Sequence, residues 1–153
     1  MTMPPEVAAF IEQGIVVGEM CLPDHYPKHD KFTEFQAGYR YNAVTGEPLT
    51  GEQAGDFRPS WYVVAANYFD DPFYVDFLEQ EAGFPVYFSY HGAGSWTPLR
   101  AAATLLDFTH LLTALAETAN DTAASLRLLQ SIPDVENEFW QEVIEGYETS
   151  EPE

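Results

Sequence analysis

Apolar positions along this chain change period twice, and each change marks a different kind of structure. Val7, Phe10 and Ile11 fall at helical spacing behind Pro4-Pro5 and ahead of Gly14. Proline suits a first helical turn, where no intrahelical bond needs its missing N–H, and glycine suits the stop. A short N-terminal helix is predicted there. The segment CLPDHYPKHDKF is punctuated by Pro23 and Pro27 and predicts turns with at most one short helix. Phe35, Tyr39 and Tyr41 read as the start of strand structure, closed by a turn at Thr45-Gly46. Residues 46–59 hold three glycines and two prolines without hydrophobic period, and predict a loop.

The period then shortens to that of strands. Trp61 to Ala66 is a β-branched and aromatic run, Phe73 to Phe77 a second, and Phe84 to Tyr90 a third. Asp70-Asp71-Pro72 and Gly92-Ala93-Gly94 supply turns around them, so three strands at about ten-residue spacing predict an antiparallel meander. The last third returns to helical spacing. Leu105, Phe108, Leu112, Leu115 and Ala119 form a stripe behind Thr104 and Asp107, which resemble a capping box, and Asn120 reads as a left-handed stop. Asp121 can cap a helix through Leu126 and Leu129. A final helix is predicted from Pro133, with Val135, Phe139, Val143 and Tyr147 on one side, flanked by Trp140 and Ile144, and Glu138, Glu142 and Glu145 opposite. The expected fold is α+β: one domain over 1–153, with a mostly antiparallel central sheet, N-terminal and C-terminal helices packed on it, and a frayed tail from residue 148.

Composition narrows the function. The 153 residues include 25 Asp+Glu against 6 Lys+Arg, a net charge of −19. A chain rich in Phe, Tyr and Trp can still build a core, and at this length folding removes roughly 70% of its surface from water. The charge argues against nucleic acid, because phosphate neutralisation needs clustered Lys and Arg, and against anionic lipid. The charge is uneven: −7 over residues 47–81, −8 over 120–153 and −1 over 82–119, so the last block is expected to be the most buried. The lone Cys21, the absence of a basic leader and the absence of a long apolar run predict a cytoplasmic protein.

Catalytic patterns are weak. Cys21, His25 and His29 are spaced by four, which on a helix would place a potential zinc set on one face. Pro27 breaks that helix, and no second cysteine supplies a fourth ligand. His91, with Ser89 and Ser95 nearby, lacks a nucleophile-elbow sequence and reads as part of a hairpin; His110 reads as a surface or boundary residue. Asp70, Asp71 and Asp76 read first as turn and strand residues. No glycine-rich loop carries a lysine. Neither an enzyme, a cofactor nor a metal is expected.

Residues 61–115 carry a more specific pattern. Trp61-Tyr62-Val63-Val64-Ala65 is followed by Asp71-Pro72-Phe73-Tyr74-Val75-Asp76, then Pro85-Val86-Tyr87-Phe88, His91-Gly92 and Trp96, and finally Ala101-Ala102 and Leu105 to Leu112. The order and spacing resemble the SUKH superfamily, the Smi/Knr-like domains, over about 55 residues. Leu22-Pro23 is similar to that family's Leu-Pro segment, whereas its "F-L…N-G" continuation is absent, as is the glycine often found at the Asp70-Asp71-Pro72 turn. The resemblance implies an α+β binding domain. Many bacterial members are immunity proteins that neutralise toxins, often nucleases, and fungal members are regulatory interaction modules.

The first of these roles agrees with the charge, since an acidic inhibitor can cover a basic cleft and opposed fields speed association. On that reading, aromatics ringed by acids anchor a cognate, basic protein toxin. The candidates are Tyr62, Tyr68, Phe69, Tyr74 and Trp140, with Asp70, Asp71, Asp76, Glu79 and Glu81 as charge partners. The alternative is a regulatory interaction module without a toxin partner. A third reading is an enzyme or metal protein centred on Cys21, His25, His29 and Asp30.

Overall fold

The computed structural model describes residues 2–149 and is α+β. Helix α1 spans Pro5–Gln13, buries Val7, Phe10 and Ile11, and ends at Gly14 in the left-handed conformation. A 3-10 turn at His29–Lys31 runs into the short helix α2, Phe32–Phe35. Four strands follow: β1, Trp61–Ala66; β2, Pro72–Asp76; β3, Val86–Phe88; and β4, Leu99–Ala102. They form one sheet in the order β1-β2-β3-β4, every pair antiparallel. Helices α3 (Leu105–Glu117), α4 (Thr122–Gln130) and α5 (Glu138–Thr149) follow. Among the described residues, no helix is long and apolar enough to cross a membrane.

Alternation along the strands gives the sheet two buried faces. Phe73, Val75, Val86 and Phe88 point into the main core, against Val7, Phe10, Phe108, Leu112, Phe139 and Trp140 of the helices. Val63 and Tyr74 point the other way and meet Phe57, with Phe35, Tyr39, Trp61, Tyr87 and Trp96 packed around them. This second cluster is almost wholly aromatic: Trp61 stacks on Tyr74 at 4.9 Å between centroids, and Phe57 meets Trp96 edge-on at 5.4 Å. Aromatic residues bury large areas from few positions, so a segment with little regular structure can close a sheet face.

Several expectations change. Phe35 ends α2, while Tyr39 and Tyr41 lie in turns linked by isolated bridges, so among the described residues no strand forms before β1. The loop from 46 to 59 is the roof of the aromatic cluster through Phe57, which is 1% exposed. A fourth strand lies beyond the glycine turn, and β3 is shorter than the Phe84–Tyr90 run. Phe77 belongs to a 3-10 turn, Phe77–Ala82, where the Asp76 carboxylate accepts from the Leu78 N–H at 2.9 Å. Thr104 and Asp121 cap α3 and α4, as expected. Asn120 is not left-handed; α3 ends earlier, at Glu117. Turns precede α5, which begins at Glu138 and still includes Glu148 and Thr149. The remainder of the expected frayed tail lies outside the described residues. Nor is burial concentrated in 82–119: β1 and β2 are as deeply buried, because the acids of their block sit in the flanking turns and loops, apart from Asp76 at the end of β2.

Both outer strands are closed by groups from elsewhere in the chain. At β1, the Gln36 side chain accepts from the Val63 N–H at 2.8 Å and donates to the Val63 carbonyl at 2.9 Å. The His25 backbone exchanges two hydrogen bonds with Ala66, and Arg40 Nε donates to the Trp61 carbonyl at 3.0 Å. At β4, Trp140 Nε1 donates to the Ala101 carbonyl at 2.8 Å and Asn137 Nδ2 to the Arg100 carbonyl at 2.6 Å.

Candidate functional site

The β1–β2 turn is built around Asn67, which is 1% exposed. Its side-chain oxygen accepts from the backbone N–H groups of Phe69 at 2.9 Å and Asp71 at 3.1 Å. Its amide donates to the Cys21 carbonyl at 3.4 Å, and the Tyr68 N–H donates to the Met20 carbonyl at 3.2 Å. Asparagine favours such turns because its short amide can replace backbone partners. Asp70 takes φ of 64°, a left-handed conformation that Asp adopts more readily than most residues. The effect is a fixed platform that holds Tyr68 (62% exposed) and Phe69 (46% exposed) against one another at 5.3 Å, next to exposed Met20.

Beside this platform lies an open cleft of about 510 Å³. Phe35, Tyr39 and Trp96 give it aromatic walls, and Glu34, Asp70, His25 and His91 supply its polar groups. Tyr39 donates its hydroxyl to the Asp70 carbonyl at 2.6 Å, fastening the turn to the aromatic roof. Asp71, 7% exposed, accepts at one oxygen from both the backbone N–H of His91 (3.0 Å) and its Nδ1 (2.7 Å). His25 Nδ1 stands 2.8 Å from Asp24, without hydrogen-bond geometry at that oxygen.

The candidate residues divide by position. Tyr68, Phe69, Asp70 and Asp71 come together at this turn, with Asp71 serving as an internal brace. Tyr62, Asp76, Glu79 and Glu81 lie at the opposite end of the hairpin, where Trp61 pairs with Asp76, about 17 Å away at the usual strand rise. There Tyr62 is half-buried against Phe77 and beneath the Arg40 guanidinium, and Glu79 accepts from the Tyr87 hydroxyl at 2.9 Å. Glu81 is exposed. Tyr74 and Trp140 are corrected outright: both are 0% exposed, since each lies on an inward-facing position, and neither can anchor a partner. The spacing-four set also fails to assemble. Cys21 Sγ lies 3.7 Å from Glu142, His29 stands in an exposed turn, and among the described residues no three His, Cys, Asp or Glu side chains converge as a metal would require. Ser89 is buried, donates to the Thr97 carbonyl at 2.8 Å and lies 2.7 Å from the Tyr74 hydroxyl, so its hydroxyl is engaged with these groups and not with His91.

Sequence reasoning missed Asn67, Tyr39 and Glu34 as parts of this site. Asn67 had a local signal, an Asx residue opening a turn; Tyr39 and Glu34 reach the cleft through tertiary packing.

Charge at the surface is largely unanswered. Among the described residues, Arg100 with Asp134 is the one ion pair made by a Lys or Arg, while Arg40 and Arg58 donate to backbone carbonyls. Acidic surroundings and burial also hold protons on the interior. Burial, followed by the Asp70 and Asp71 charges, pushes the Tyr39 phenol up to about 12. Burial raises Tyr87 and Tyr147 to about 12 as well, and Tyr26, Tyr74 and Tyr90 higher still. The unfolded chain loses phenolic protons near about pH 10, so above that point it binds fewer protons than the folded chain. Their contribution to stability is therefore complete below about pH 10 and lost as pH rises toward about 12. Urea unfolding at about pH 8 and about pH 11, with tyrosinate absorbance followed in parallel, is expected to show a lower midpoint at the higher pH and ionisation concurrent with unfolding. Free ionisation of every tyrosine in the folded state at about pH 11 contradicts this.

No family model, curated protein or solved structure matches this chain.

Proposed function

We propose that this chain is a cytoplasmic immunity protein of the SUKH type, which binds a cognate basic toxin, such as a nuclease, and neutralises it by protein–protein contact. The observation that supports this most directly is the Asn67-braced turn. It holds two exposed aromatic rings in fixed positions beside a carboxylate-lined cleft, on a chain whose net charge is −19. Interfaces gain most of their energy from a few well-placed aromatic or charged anchors, and pre-ordering them reduces the entropy lost on binding. The unpaired acids add long-range attraction for a basic partner and speed encounter. The order and spacing of residues 61–115 support the family. Binding, without catalysis, is the proposed mode of action.

Co-expression with the toxin encoded beside this gene tests the reading. The wild-type chain is expected to keep the host alive. The Tyr68→Ala/Phe69→Ala variant is expected to bind the toxin about 30-fold to 1,000-fold more weakly, as loss of a hot spot does, with an unchanged melting temperature. Host death with the wild-type chain, or full affinity in the double variant, overturns the reading or its site respectively.

A further inference from the structure

We propose that the cleft beside the β1–β2 turn is a receptor for one arginine side chain of the partner, selected over lysine; this rests on the reading above that the partner is a basic protein. The hydrogen-bond polarity of the cleft carries the argument. Its two most prominent donors are already used inside the protein. The Tyr39 hydroxyl donates to the Asp70 carbonyl, and His91 Nδ1 faces the Asp71 carboxylate at 2.7 Å. The cleft therefore offers the carboxylates of Glu34 and Asp70, with the His25 and His91 rings beside them, and no Lys or Arg lines it.

A ligand that complements these groups must be rich in donors, cationic and able to lie against rings. Guanidinium has five N–H donors and no acceptor, and its plane stacks on aromatic faces such as those of Tyr39 and Trp96. An ammonium is compact and strongly hydrated, so it loses more solvation and gains less from the walls. At about 510 Å³ the cleft has room for the side chain together with part of the backbone that carries it. Tyr68 and Phe69 precede Asp70 of the cleft in the chain and are exposed, so they can cover neighbouring residues of the same segment.

The test uses the whole protein and two blocked tripeptides, acetyl-Gly-Arg-Gly-amide and acetyl-Gly-Lys-Gly-amide, titrated by NMR at one pH and salt concentration. The arginine peptide is expected to give saturable shifts at Gly38, Tyr39, Asp70, His91 and the Trp96 indole. Its affinity is expected to exceed that of the lysine peptide about tenfold, the equivalent of one charge-assisted hydrogen bond. Glu34→Gln and Asp70→Asn, both at exposed side chains, are each expected to weaken arginine binding several-fold without altering the far-UV circular dichroism, asparagine tolerating the left-handed backbone at position 70. Equal affinity for the two peptides, shifts spread along the acidic side of α5, or no saturation overturns the proposal. Peptide selectivity in a protein that fails to protect against the toxin retains the arginine-selective cleft and removes the proposed function. Protection without selectivity does the reverse.

Discussion

Trp140→Ala is expected to lower the free energy of unfolding by about 4–5 kcal/mol, about a third or more of the stability of an ordinary domain. Trp140 is 0% exposed, and its ring lies 4.7 Å from Phe139 and 6.5 Å from Phe108 between centroids. Truncation opens a cavity that surrounding rings cannot fill, because Phe139 is already held against Phe73 and Phe88. It also removes the indole donor from the Ala101 carbonyl, which leaves a buried acceptor unmet. Trp140→Phe separates the two effects. It retains much of the apolar volume, loses the donor, and is expected to cost about 1–3 kcal/mol. Urea unfolding followed by far-UV circular dichroism measures both. A loss below about 2 kcal/mol for the alanine variant would show that α5 does not hold β4 in place.

Gln36→Leu is the second large effect, expected at about 2–4 kcal/mol despite similar size and greater hydrophobicity. Gln36 is 3% exposed, and its amide treats Val63 as a neighbouring strand would, accepting from its N–H and donating to its carbonyl. The same amide group also donates to the Phe32 carbonyl at 3.1 Å, so it joins α2 to β1. Leucine leaves the Val63 N–H and both carbonyls without this partner in a site closed to water. Hydrogen exchange gives a local readout: the Val63 amide, bonded to Gln36 in the wild-type chain, is expected to exchange slowly there and much faster in the variant, while the β2–β3 ladder stays protected. Unchanged exchange at Val63 would remove Gln36 from this role.

The parts of the fold legible in the sequence are those where local pattern and tertiary burial agree. Val7, Phe10 and Ile11 repeat with the helical period and face the core, and Thr104 and Asp121 carry their own capping chemistry. Strands β1 and β2 announce themselves because both faces are buried, which produces continuous apolar runs. The second face of the sheet was hidden for the opposite reason. Phe35, Tyr39, Phe57 and Trp96 are scattered over some 60 positions with no shared period, and they meet only after the meander has formed. Strand β4 was missed because Leu-Arg-Ala-Ala lacks β-branched residues and is held by α5 and β3. At the site, Asp70-Asp71-Pro72 signalled a turn, but burial of Tyr74 and Trp140 depends on which face each occupies. A list of aromatic residues contains no such information.

Closure of the outer strands has a consequence for recognition. Many binding domains capture extended peptides by letting them extend the sheet, with main-chain bonds supplying affinity that depends little on sequence. On β1, Gln36, Arg40 and the His25 backbone already occupy Trp61, Val63 and Ala66, so an incoming segment would have to displace the domain's own packing. Two carbonyls of β4 are likewise taken, one by Trp140 of α5 and one by Asn137 immediately before that helix. Under the proposed binding role, recognition would thus be directed to side chains, which would make it sensitive to the identity of single residues on the partner. A protein built this way can diverge toward a new target by replacing a few exposed positions on the β1–β2 turn, while the hydrogen-bonded frame beneath them stays unchanged.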